Sequence, residues 1–282
     1  NYKVPCFPEA PDGMGIWATE GMNKNHAIFA FCLRSEENRG FLCPPEPRRS
    51  ANMDYFQSFV TDAANNGSNI IMSSEAFDYP DLNIAEMTSY LLPEYKIHVV
   101  VYYRRFYDWL HSFYNQRTKT PITDPPEILT FVEWLTDERL EEFHNMFSDT
   151  TYRRFKEAQG IFNVSVVNIH EDPDNSSPNE MFACDHLDNA PHLCQLARSQ
   201  SVKHNNPSID LNWKVFSTRV SSHHPIELRG KDTRWERIKK KFNQMTDVPQ
   251  LCLSPNLKNK VLQISLEAET TLTPESWYKS NE

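Results

Sequence analysis

Residues 69–116 read NIIMSSEAFDYPDLNIAEMTSYLLPEYKIHVVVYYRRFYDWLHSFYNQ. The stretch alternates two periods, strand then helix, twice over. Asn69 to Ser74 is a short apolar run that breaks into Ser-Ser-Glu. Ile97 to Tyr103 is a second run, with Val99, Val100 and Val101 unbroken. Continuous β-branched strands of this length suit a parallel sheet buried on both faces. Ile84 to Leu92 lies between them and can supply the crossover helix that parallel strands require. A second helix begins near Phe106, with Phe106, Trp109, Leu110 and Phe113 at helical spacing. That stripe is expected to pack on the sheet, while Asp108, Ser112 and Asn115 share another face.

Outward from this core the chain is read in order. Asn1 to Glu20 is a loop punctuated by Pro and Gly, and Phe41 to Ser50 a Pro-rich connector. Helices are expected at Ala27–Leu33, capped by Asn25, and at Met53–Ala64, with Phe56, Phe59 and Val60 inward. Beyond the Pro-rich loop Thr118–Pro126 come helices at Glu127–Leu135, Glu138–Phe147 and Thr150–Gln159, the last stopped by Gly160. Ile161 to Ile169 reads as another strand. Helices follow around Pro191–Arg198, Asp210–Ser221, Asp232–Met245 and Leu257–Leu272. The helix at 232–245 is basic; it could meet an anionic ligand or be a solvated face. The expected organisation is an N-terminal loop (1–20), one α/β domain (21–272) and a short tail (273–282).

In open parallel sheets, ligands gather outside the carboxyl ends of the strands. Two such ends carry chemistry here. One bears Ser73, Ser74 and Glu75. The other bears Arg104 and Arg105, with Ser112 two turns into the next helix. A strand-end Arg and a helix Ser can grip one phosphate, the guanidinium as a forked charged donor and the hydroxyl as a second donor.

At these residues the chain resembles the sulfotransferase family, which uses 3′-phosphoadenosine 5′-phosphosulfate. That family pairs a strand-end Arg with a Ser eight positions later, followed by an aromatic pair. Arg104, Ser112 and Phe113-Tyr114 stand in that arrangement. The family places its catalytic base just after the preceding strand, with Leu-Leu-Pro downstream. Here Ser74-Glu75-Ala76-Phe77 and Leu91-Leu92-Pro93 occupy those places, so the implied base is Glu75 where cytosolic members have His. Carbohydrate-directed members accept such a change. The likeness is good over 66–116, weaker to 169 and faint beyond.

The resemblance implies a P-loop NTPase-like α/β fold, a parallel sheet flanked by helices. It implies in-line transfer of a sulfuryl group to an acceptor hydroxyl, for which a carbohydrate is the expected partner, with no metal. Glu75 would take the acceptor proton. Arg104 and Ser112 would hold the 3′-phosphate. Glu75 could equally cap the following helix or pair with an Arg. His26 could line the substrate cleft or merely neighbour a helix cap. Arg105 could touch substrate or make structural ion pairs. The family's phosphate loop, a Lys or Arg followed by Ser/Thr-Gly-Thr/Ser after the first strand, is not found in these residues. The first strand and loop are therefore expected upstream. A relative that dispensed with the loop and binds glycan or nucleotide without catalysis is the alternative; a P-loop kinase is disfavoured because no Asp-based magnesium motif can be placed.

Composition narrows the class further. Formal net charge is −9, which argues against a nucleic-acid partner or general cationic attraction to membranes. An anionic donor must then be met by local basic residues. Sequons stand at Asn66, Asn163 and Asn175, and with six cysteines they favour a luminal or secreted, Golgi-type protein over a cytosolic one with free thiols. Cys184 and Cys194 are the expected local disulfide. The cysteines lack paired C-x-x-C spacing, so a zinc site is not expected. No apolar run is long enough to span a bilayer, so any membrane attachment would come through an anchor upstream.

Overall fold

The computed structural model describes residues 2–3, 25–39, 43–119, 131–170, 177–187, 190–199 and 253–272. These form an α/β arrangement that is mostly helical, with short parallel strand pairings. The chain divides into two compact units. The first comprises Asn1–Tyr103 and Asn145–Ala197, the second Arg104–His144 and Arg198–Glu282.

In the first unit, β1 (Tyr2–Lys3) pairs in parallel with β2 (Asn69–Ile70). A strand at Tyr2–Lys3 corrects the reading of the first twenty residues as loop throughout. Hydrogen bonding by the β2 backbone, not apolar patterning, recruits so short a segment. Two helices lie between these strands, α1 (Asn25–Cys32) and α2 (Arg48–Asn65). The second starts inside the expected Pro-rich connector. Pro47 stands at its N-cap, where the missing N–H costs nothing. Met53, Phe56, Val60 and Ala63 line its buried face, and the Phe56 ring stacks on Phe29 of α1 with centroids 4.0 Å apart. Both phenylalanines are fully buried, each worth about 1.5–3 kcal/mol of hydrophobic stabilisation. The helix ends at Asn66-Gly67, and Gly67 takes a φ of 60° that favours glycine.

The run from Asn69 was expected to be a strand to Ser74, but β2 stops at Ile70. Ser74 instead caps a 3₁₀ turn, Glu75–Asp78, by accepting a hydrogen bond from the Ala76 N–H at 3.1 Å. Ser74 itself keeps an extended backbone, with φ −163° and ψ 139°. The crossover helix α3 (Ile84–Leu91) follows as read. Asn83 caps it, accepting from Glu86 N–H at 3.0 Å and donating to the Glu86 carboxylate at 3.1 Å. Next comes β3 (Ile97–Tyr103).

The second unit opens with α4 (Phe106–Lys119), followed by α5 (Phe131–Trp134) and α6 (Asp137–Asn145). The first unit resumes with α7 (Ser148–Glu157), β4 (Ile161–Asn168), α8 (Pro178–Met181), a π turn at Phe182–His186 and α9 (Pro191–Ser199). The second unit closes on α10 (Pro255–Leu272). Expected helices at 210–221 and 232–245 lie outside the described residues.

Strand β3 runs parallel to β4, Val101 opposite Val166 and Tyr103 opposite Asn168. Doubly buried strands were expected here. Ile97, Val101 and Tyr103 are buried, but His98 and Tyr102 are exposed, so β3 covers one face and leaves the other partly open. The β-branched run satisfies strand propensity without demanding burial on both sides. The core of this unit gathers α1, α2, α3 and the base of β3 around Phe29, Leu33, Phe56, Met87, Leu91 and Phe155.

Within the second unit the α4 stripe finds aromatic partners. Trp109 stacks on Phe113 at 5.1 Å, and Phe113 meets Phe143 of α6 at 5.1 Å. Phe143 stacks on Trp134 of α5 at 4.9 Å, which also meets Tyr114 at 5.1 Å. Within this unit the stripe meets α5 and α6. On α10, Ser265 Oγ accepts from the Phe106 N–H at 3.3 Å, satisfying one open donor at the α4 N-terminus.

Two disulfides close local loops. Cys184–Cys194 is the expected pair, bridging the π turn to α9; Cys32–Cys43 was not foreseen and ties the end of α1 to the segment before α2.

Candidate functional site

The first candidate region is the turn after β2. Glu75 opens it, exposed to solvent. Ala76 anchors the turn in the core. Three residues after Glu75, Asp78 is half-buried. Burial pushes its carboxyl up to about 7, against the pull of the Arg154 charge and with a further push from Glu75.

Arg154, on α7, reaches the same turn from 76 residues away in sequence. Its guanidinium donates to the Tyr79 carbonyl at 2.5 Å and to the Asp78 carbonyl at 2.8 Å. Burial lowers the Arg154 pKa while Asp78 and Asp81 raise it. A second arginine holds the far side. Arg34 lies 3.8 Å from the centroid of the Tyr79 ring, and its Nε donates to Asp81 at 2.8 Å. Ser35 donates to the other Asp81 oxygen at 3.1 Å. Burial works against the charged form of Asp81, but the Arg34 hydrogen bond and charge, with Ser35, hold its pKa below the usual range. The backbone joins the same seam, with an isolated Arg34–Leu82 bridge and Asn83 N–H donating to the Leu33 carbonyl at 3.0 Å.

The second region follows β3. Arg104 is half-buried, and its Nε is buried without a hydrogen-bond partner among the described residues. Arg105 is more open; its Nε lies 3.6 Å from Glu269 of α10. The neighbouring Tyr107 raises the Arg105 pKa, burial opposes this slightly, and Glu269 and Asp108 add to the rise. Ser112 is exposed on α4, while Tyr114, two residues on, is buried in the aromatic cluster. No hydrogen bond joins the side chains of Arg104 and Ser112.

The sequence candidates thus divide. Glu75 and His26 belong to the first unit, and Arg104, Arg105 and Ser112 to the second. His26 falls in the first turn of α1; its side chain lies outside the described residues. The Glu269 contact fits the structural alternative for Arg105. Asp78, Arg154, Arg34 and Asp81 escaped the sequence reading. The only signal was a second carboxylate one turn past Glu75. Which arginine would meet it depends on folding, because three Arg pairs, 48–49, 104–105 and 153–154, look alike as sequence. Among the described residues, no group of three or more His, Cys, Asp or Glu side chains is placed to hold a metal ion.

No family model, curated protein or solved structure matches the chain.

Proposed function

We propose that the protein is a sulfotransferase that moves a sulfuryl group from 3′-phosphoadenosine 5′-phosphosulfate to a hydroxyl of a carbohydrate acceptor, on a P-loop-like α/β fold. The observation that carries the reading is Arg104. A cation directly after a parallel strand, with a buried Nε–H that has no acceptor among the described residues, is suited to an anionic ligand. Ser112, exposed on the following helix, offers a hydroxyl on the same segment. Together they would hold the 3′-phosphate, far from the reacting sulfur, so that binding energy there becomes positioning at the other end of the donor.

Glu75 would act as general base. It is exposed, five residues after β2, on a turn pinned to the core. It would accept the acceptor hydroxyl proton as the oxygen attacks sulfur; the new O–S bond forms as the bond to the leaving phosphate oxygen breaks. Neither Glu75 nor Arg104 supplies the third element of such a reaction, donors to that leaving oxygen.

Two disulfides, and the absence among the described residues of any helix long and apolar enough to cross a membrane, are compatible with a secreted or luminal protein. Residence in the Golgi lumen is the finer proposal. Asn66 and Asn163 are both exposed, Asn163 on β4, so a glycan at either would not have to enter the core.

Calorimetry with 3′-phosphoadenosine 5′-phosphate tests the anchor. Arg104→Ala should weaken binding by about 2–4 kcal/mol, the loss of a charge-assisted contact. Equal affinities for parent and variant would remove the assignment. Nucleotide binding with no transfer to any glycan would favour the non-catalytic relative.

A further inference from the structure

We propose that Arg154 is a positioning residue for Glu75, gripping from α7 the two carbonyls that close the turn on which Glu75 sits. This rests on the reading of Glu75 as the base. The geometry is independent of it.

The turn from Glu75 to Asp78 is a single 3₁₀ turn after a strand of two residues. It begins on the Ser74 cap and a Phe77 N–H to Ser74 carbonyl bond at 3.3 Å. A 3₁₀ turn this short does not hold its own orientation, because its hydrogen-bond geometry is poor and it has no following turn to propagate into. The orientation must come from outside. Arg154 supplies it with a planar fork: two N–H groups of one guanidinium meet two successive carbonyls, Asp78 and Tyr79. A fork engaging adjacent carbonyls fixes direction as well as distance, which a lysine ammonium cannot reproduce.

The fork is itself anchored. Phe155, the next residue on α7, is buried in the same core cluster as Ala76 of the turn. Arg34 then restrains the Tyr79 ring from the α1 side. Tyr79 is thereby held by its backbone from one element and by its ring from another. Between these holds Glu75 is the exposed residue of the turn, with Phe77 and Asp78 half-buried. The Asp78 carboxyl interacts with the guanidinium only when ionised, and the two donors to the carbonyls are engaged independently of it.

The test compares the parent protein with Arg154→Lys, Arg154→Gln and Glu75→Gln. Amide hydrogen exchange follows the folded proteins, and transfer from 3′-phosphoadenosine 5′-phosphosulfate to desulfated heparin and to chondroitin follows catalysis. The expected result for Arg154→Lys is exchange at least about threefold faster over 75–83, no change over β3 and β4, and kcat down at least about tenfold with the donor KM within about twofold. Arg154→Gln should do the same, and Glu75→Gln should abolish transfer while leaving exchange unchanged. Normal kcat in both Arg154 variants, with Glu75→Gln inactive, overturns the positioning role and leaves the base intact. Loss of protection throughout the first unit in both Arg154 variants also overturns it, since Arg154 would then serve the fold at large. Full activity of Glu75→Gln, or a parent that binds nucleotide but turns over neither acceptor, sinks the base and Arg154's catalytic purpose with it.

Discussion

Asp78→Asn should make the protein less sensitive to rising pH, and the size of the effect follows from the site. The carboxyl is pushed from 3.8 up to about 7, first by burial and then by Glu75, with Arg154 only partly offsetting both. In the unfolded chain the same group ionises near its ordinary value. Between about pH 4 and pH 7 the native state therefore holds a proton that the unfolded state has released. Stability must fall as pH rises through that window and level off above it. At about 1.4 kcal/mol per pH unit, the rise from 3.8 to about 7 costs up to about 4 kcal/mol above neutrality. An amide of the same shape cannot ionise, so the variant lacks this slope. Asp81, held below the usual range by Arg34, acts in the opposite sense at lower pH, but it is common to both proteins and cancels in the comparison. The assay is urea unfolding of parent and variant at pH 4.5 and pH 8. The variant should gain on the parent by several kcal/mol between the two conditions. A parent-to-variant difference that does not change with pH, or that favours the parent at pH 8, would refute the placement of Asp78 in a buried site.

Other outcomes can be read from stability and binding. Replacing both Cys32 and Cys43 by Ser opens a loop of sequence separation 11 and should cost about 3 kcal/mol in urea unfolding under non-reducing conditions; a loss below about 1 kcal/mol would mean the bridge adds little. Gly160→Ala should lower the melting temperature. The position has a φ of 84°, and a Cβ there would come within 2.9 Å of Leu92 Cδ1 and 3.3 Å of Thr88 Cβ, so a loss of about 1–3 kcal/mol is expected. Arg105→Gln should leave affinity for 3′-phosphoadenosine 5′-phosphate within about twofold, because Arg105 lies beside Glu269 on the protein itself; a loss as large as that for Arg104→Ala would move the phosphate site to the second arginine.

Sequence alone determined the local elements. The Val99–Val101 run became β3, the Ile161 run became β4, and the helices from Ile84, Phe106, Pro191 and Pro255 stand within a few residues of their readings, because period and capping are encoded within one turn or one strand. The close pair Cys184–Cys194 was legible for the same reason. Strand β2 is shorter than its apolar run, since pairing follows the partner strand and not the run itself, and β1 was missed because two residues carry no period at all. The surroundings of the candidate base lay further out of reach. Glu75 and Asp78 are both carboxylates on one turn, and nothing in SSEAFD says which faces water. Burial decided that, and burial depends on α1 and α7 arriving from distant parts of the chain. Arg153 and Arg154 are neighbours with the same charge, yet Arg153 pairs with Asp149 on its own helix while Arg154 crosses to the turn. Helix phase and the packing of Phe155 set that difference, and a guanidinium's choice of partner follows from what the fold places within its reach.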